Sequence, residues 1–237
     1  VQRRSGTGTA ESCEVGGVTV QLIDHMGTDE SVARAAWVST QREQREATPE
    51  AVEKLIRFLL SNRPAHASPF AHPHLTVLVE CPIFVSREWM RHRVWQFSEV
   101  SSRYSDMSGE AYLPPIEDFR TQVGRPGDYH MEPLPDSRAR EDRDTMADAY
   151  AYSYRAYEEM LVAGLAREVA RNVLPLGTMT RFYGTVSLRN ALAFLVLRDS
   201  PAALLEIRRE AVALRAILND LFPITMAVWA EQGEPSL

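Results

Sequence analysis

Cysteine is nearly absent from this 237-residue chain: Cys13 and Cys81 are the only two, far apart in sequence. Two thiols make neither a disulfide framework nor a four-thiolate metal site. Lysine is scarcer still. Lys54 is the only one among 26 basic residues, so the other cations are arginines, whose rigid fork suits phosphate and carboxylate groups. Acidic residues outnumber basic ones, 32 to 26, for a formal charge of −6, which disfavours a general nucleic-acid coat. No apolar run reaches membrane-span length; the longest, residues 75–85, is broken by Glu80 and Pro82. Glycine-rich phosphate loops of the Rossmann or Walker type are missing. Internal repeats and low-complexity blocks are missing too. Residues 1–12 are polar, with Arg3 and Arg4 and no apolar stretch behind them, unlike a signal peptide. A soluble, cytoplasmic protein with no membrane partner is expected. The His72-Pro73-His74 pair has no companions at ligand spacing, so no metal is expected.

What is present reads as mixed helix and strand. Residues 17–23 alternate as a strand, and Asp29 or Ser31 is placed to cap a short helix through Ala36. Thr48-Pro49-Glu50 is a helix start, with Val52, Leu55, Ile56 and Leu59 continuing the helix to about Asn62. A loop over 63–73 leads to a strand over 74–81, where Leu75, Val77 and Val79 alternate with Thr76, Leu78 and Glu80. Pro82 turns the chain into a helix running to about Val94. Residues 105–138 carry loop chemistry. A long helix follows over 138–165, then a turn or two of helix over 168–174. Residues 181–186 make a strand, and 188–197 a buried helix. Ser200-Pro201 restarts helix to about Leu221, after which little pattern remains. Strands and helices do not alternate regularly, so the fold class is α+β rather than doubly wound. The expectation is a flexible leader over residues 1–16 and a single domain over 17–237.

The densest polar cluster runs from Arg91-His92-Arg93 through Ser101, Ser102, Arg103, Tyr104 and Ser105. On a helical wheel Arg87, Glu88, Arg91 and His92 share one arc, while Trp89 and Met90 face away. Converging arginines and hydroxyls suit an anionic group such as a phosphate. A solvated helix end, with cations offsetting the dipole, has the same composition. Arg198 ends an apolar helix and requires a partner there; Asp199, Glu206, the helix dipole or a ligand would each serve. Arg171 sits three residues after Glu168 and has the same ambiguity. Tyr150, Tyr154 and Tyr157 share one helix face and read as packing.

Arg-His-Arg, seven residues, Ser, one residue, Arg-Tyr-Ser resembles the signature of the flavin-dependent thymidylate synthases. Residues 63–72, 166–176 and 180–198 resemble further segments of that family in the same order, so the likeness spans about residues 17–230. It implies an α+β fold with a mainly antiparallel sheet against long helices. It also implies reductive methylation of dUMP to dTMP by a homotetramer, with methylenetetrahydrofolate as carbon donor, NADPH as reductant and FAD as carrier. By resemblance Glu88, Arg91, Glu99, Ser101, Arg103, Arg171 and Arg198 hold dUMP. His66, Ser68, Arg91, His92, Arg93, Glu99, Ser187 and Arg189 hold FAD, and Arg198 polarises the uracil. Glu88 stands where the family often has Gln, Ser98 and Ser187 where it has Asn, and Ala71 where an acid is frequent. Ala193 replaces a polar flavin contact.

The chemistry of the residues agrees with a route lacking an enzyme nucleophile, since neither cysteine has a catalytic flank and Cys81 reads as a buried small apolar residue. Two other functions use the same residues. One is a nucleotide-binding protein without flavin chemistry. The other is a single-strand binder using Arg91, Arg93 and Arg103 with Trp95 and Phe97, which the net acidity opposes.

Overall fold

A computed structural model describes residues 12–15, 18–41, 45–107, 109, 111–125 and 127–237. In chain order the elements are β1 (Ser12–Val15), β2 (Val18–Met26), α1 (Asp29–Val38), α2 (Pro49–Ser61), β3 (His74–Pro82), α3 (Ile83–Trp89), β4 (Gln96–Glu99), β5 (Arg120–Arg125), β6 (Asp128–Pro133), α4 (Asp136–Val162), α5 (Arg167–Ala170), β7 (Met179–Ser187), α6 (Leu188–Arg198), α7 (Leu205–Leu221) and α8 (Pro223–Glu231). They gather into two compact units. One takes the described residues of 1–80 with 87–98 and 181–237, the other 81–86 with 99–180.

The first unit holds the five-stranded sheet, ordered β1-β2-β3-β7-β4. The β1–β2 and β2–β3 pairs are antiparallel, which gives the expected α+β class. Alternation does in β3 what the sequence promises: Leu75, Val77 and Val79 are buried while the residues between them are half-exposed. Thr48 caps α2 through a 3.3 Å bond from the Ala51 N–H, and Val52, Ile56, Leu59 and Leu60 form its buried stripe. That stripe meets α8 and α1.

Several expectations are corrected. Residues 12–15, expected in a flexible leader, form β1 against β2; residues 1–11 and 16–17 lie outside the described residues. Helix α3 ends at Trp89 rather than near Val94, because the Trp89 ring turns into the core and the chain then folds back into β4. The start of α1 is Thr28, whose N–H donates to Ser31 Oγ at 3.1 Å. Of the two residues expected to cap α1, Ser31 takes part in that start, while Asp29 is buried and caps α8 instead. Its carboxylate accepts from the backbone N–H groups of Ile224 (2.8 Å) and Thr225 (2.9 Å), and from the Thr225 hydroxyl. Ser200-Pro201 makes a turn rather than a helix start, and α7 begins at Leu205.

The second unit is led by α4, 27 residues of which only Ala139 and Tyr157 are buried. Tyr154 donates to Thr178 Oγ1 at 3.0 Å, and the Tyr150 ring lies over Gly177, where a Cβ would stand 2.5 Å from the phenol oxygen. Burial pushes both phenols above their ordinary pKa. Residues 105–138, expected as loop, contain an exposed antiparallel hairpin of β5 and β6. With both faces in water it carries no apolar alternation to announce it.

Candidate functional site

The structure gathers some of the predicted residues into two arginine-bearing clusters, one in each unit, and leaves His66, Ser68, Ser187 and Arg189 outside them. In the first unit α3 delivers Glu88, the turn after it delivers Arg91, His92 and Arg93, and the last turn of α6 delivers Arg198. The Arg198 side chain is 18% exposed. Its Nη1 donates to a Glu88 carboxylate oxygen at 2.6 Å, its Nη2 to the Glu88 carbonyl at 3.4 Å, and its Nε to His92 Nε2 at 2.9 Å. Neither acid considered from the sequence is its partner. Asp199 pairs with Arg215 at 2.7 Å, and Glu206 lies buried in the first turn of α7.

Beneath this group lies an aromatic bed. The Phe194 ring is 4.7 Å from that of His92 and stacks on Trp89 at 4.2 Å; Trp95, Phe97 and Phe182 extend the cluster. Trp89 Nε1 donates to the buried carboxylate of Glu210. Gly184 leaves room for the Trp95 ring, which a Cβ there would meet at 3.1 Å. Burial, then the positive charge of Arg198, push the His92 pKa down to about 4. A neutral ring is what a bond accepted from an arginine N–H requires.

The other residues of this unit are less engaged. Arg91, Arg93 and Arg189 are exposed, as are His66 and Ser68. His66 packs edge-on to Phe58 at 5.8 Å, and Ser68 opens a 3-10 turn over Ser68–Ala71. Ser187 is buried and caps α6, accepting from the Asn190 N–H at 3.4 Å. Its hydroxyl therefore has a structural task that the sequence left unseen.

The second cluster is at the surface of its own unit. Ser101 closes a turn in which its carbonyl accepts from the Tyr104 and Ser105 N–H groups, and its Oγ from that of Arg103. Arg103 Nε reaches Glu168 on α5 at 3.2 Å, and its guanidinium lies over the Tyr104 ring. Arg171 Nη1 donates to Ser102 Oγ at 2.8 Å, so Glu168 serves Arg103 rather than the arginine three residues on. Glu99, at the end of β4, accepts from Thr180 Oγ1 at 2.8 Å. The sequence reading missed Ser102, Glu168 and Thr180 as partners in these pairs. Among the described residues no three His, Cys, Asp or Glu side chains gather to hold a metal ion, and no single helix is long and apolar enough to cross a membrane.

An α+β sheet fold holds Arg198 on Glu88 and His92 in one unit and pairs Arg103 and Arg171 with surface partners in the other, donors of the kind that anionic groups take. The comparisons narrow the class. Residues 21–224 match the family described as Thymidylate synthase complementing protein. The flavin-dependent thymidylate synthase of Streptomyces avermitilis is 42% identical over 186 residues, covering 76% of this chain and 75% of that protein. That of Thermotoga neapolitana is 39% identical over 207 residues, 87% and 88% of the two chains. Among solved structures, the UMP/dUMP methylase PolB from Streptomyces cacaoi bound with 5-Br dUMP superposes with a TM-score of 0.85 at 34% identity, over 93% of this chain and 97% of that one. Its complex with 5-Br UMP gives 0.84 at 33%. The chain belongs to the Thymidylate synthase complementing protein family, and it is an enzyme of the methyltransferase class.

Proposed function

We propose that this enzyme converts dUMP to dTMP by reductive methylation, with methylenetetrahydrofolate as carbon donor, NADPH as reductant and FAD as carrier, and without a cysteine nucleophile. The observation that carries the reading is the likeness to a dUMP methylase over 93% of the chain. The residues suit the ligands. Exposed Arg91, Arg93 and Arg189 with Ser68 offer the guanidinium and hydroxyl donors that a flavin dinucleotide's pyrophosphate takes, while His66 lies against Phe58 and His92 against the aromatic bed. Bound flavin would supply hydride transfer.

The chain's own part is binding and electrostatics. Arg103 and Arg171, with Ser101 and Glu99 beside them, take the nucleotide. Arg198 has five N–H groups and spends three on Glu88 and His92; the other two meet negative charge as it develops on the uracil. Cys81 is fully buried in β3, a packing position rather than a nucleophile's. The homotetramer accords with apolar side chains left exposed on and after α4, among them Val162 at 90% and Leu176 at 65%. A cytoplasmic location accords with the same reading.

The test is tritium release from dUMP labelled at uracil C5, with FAD, NADPH and methylenetetrahydrofolate each omitted in turn and UMP run as a competing substrate. Release that needs all three and yields dTMP is expected, and it persists in Cys81→Ala. No release from an enzyme holding FAD and dUMP would overturn the reading in favour of a binding protein.

A further inference from the structure

We infer that Glu88 and His92 are positioning residues for Arg198: together they fix the direction of its guanidinium, and His92 does so as the Nδ1–H tautomer. The inference rests on the proposed reaction for its kinetic part only. Its structural part stands on geometry. Arg198 is anchored on three sides within its own unit, by a carboxylate, a carbonyl and an imidazole nitrogen. An N–H donor at 2.9 Å from Nε2 leaves that nitrogen no proton, so the ring's single proton sits on Nδ1.

The supports come from different elements and are themselves constrained. Glu88 stands one residue before the end of α3, and the last residue, Trp89, is fully buried; a rotation of this segment would expose the indole. The His92 ring is held against Phe194, one turn before Arg198 on α6. A four-carbon arginine side chain otherwise carries much rotamer freedom, and an electrostatic group acts on a transition state in proportion to how little it must reorganise. Glu88 also places a negative charge beside the cation, where Gln would give an acceptor without charge.

The experiment uses the full-length enzyme with bound FAD. Glu88→Ala, Glu88→Gln, His92→Gln and His92→Asn are compared for kcat and KM for dUMP, with FAD content and melting temperature checked in each. Glutamine's Oε1 takes the place of Nε2, whereas asparagine's Oδ1 takes that of Nδ1. Expected is a kcat loss of about tenfold or more in Glu88→Ala and His92→Asn with KM within about threefold, the pattern of a misdirected transition-state group. Glu88→Gln and His92→Gln recover most of kcat. A raised KM at unchanged kcat in Glu88→Ala, or equal activity of the two His92 variants, would overturn the assignment. Selective 15N-histidine labelling, with His92 assigned by the resonance lost in His92→Gln, reads the tautomer without turnover. An Nε2–H ring in the wild type would overturn the positioning geometry even if dTMP forms. Absence of dTMP with an Nδ1–H ring would overturn the proposed reaction and leave the geometry standing.

Discussion

Arg198 and Arg103 are both held by a glutamate, and there the likeness ends. The Arg198 side chain is 18% exposed, and its three anchors include a ring packed on an aromatic bed. Arg103 is 53% exposed and its Glu168 partner 54%, on a short turn beside a four-residue helix. A charge in the first setting is weakly screened and fixed in direction; in the second it is screened and free to exchange partners. Under the proposed function the difference gives one residue type two kinds of work. A fixed guanidinium is suited to charge that appears during reaction, an exchangeable pair to capturing a phosphate that arrives charged.

The largest effect should come from the fixed cluster. Arg198→Ala is expected to lower dTMP formation by about 10²–10³-fold, the usual cost of removing one preorganised electrostatic donor, with FAD binding retained. Near-normal turnover would break the comparison by removing Arg198 from the chemistry. Arg171→Ala, in the exchangeable cluster, should instead raise KM for dUMP by about tenfold or more, as loss of one charge-assisted hydrogen bond does, and leave kcat nearly unchanged. Wild-type dUMP binding should weaken with added salt through the same exposed charges. A kcat loss in Arg171→Ala at constant KM would make the two clusters equivalent.

How far the sequence revealed this depends on how local each determinant is. Alternation in β3 and the Thr48-Pro49 start of α2 are set by neighbours, and both read correctly. Distant partners are another matter. The cap of α8 is Asp29, 195 residues before Ile224, so Pro223 at its first position was the one local sign of that start. Ser200-Pro201 has the chemistry of a cap and makes only a turn, with its neighbour Asp199 bound to Arg215. The site shows the same division. The resemblance offers candidate residues in order, while the pairings of Arg198 with Glu88 and of Arg103 with Glu168 join segments 110 and 65 residues apart. Spacing had suggested Asp199 or Glu206 for the one, and Glu168 with Arg171 for the other.

Acid sharpens the contrast at a smaller scale. Folded His92 titrates at about 4 against an ordinary 6.5, so below about 6.5 the unfolded chain takes up a proton that the folded one refuses. Stability on this account rises with pH between about 4 and 6.5 and is level above it. The charged group at the ring is Arg198, itself paired with Glu88, with Arg91 and Arg93 on the ring's own turn. His92→Gln should show a smaller drop in melting temperature across that window. An equal drop would mean that the ring is not held neutral.

The smallest effect bears most directly on what the exposed pair does. Glu168→Gln removes a partner that competes with a phosphate for Arg103, and a surface pair of this kind is worth about 0–1 kcal/mol. Melting temperature should hardly move. KM for dUMP should fall about two- to threefold at low salt, and the difference should vanish as ionic strength rises and the pair is screened. If KM rises instead, Glu168 aligns Arg103 rather than occupying it. The exposed cluster would then be preorganised in the manner of the buried one, and the contrast between them would be one of degree.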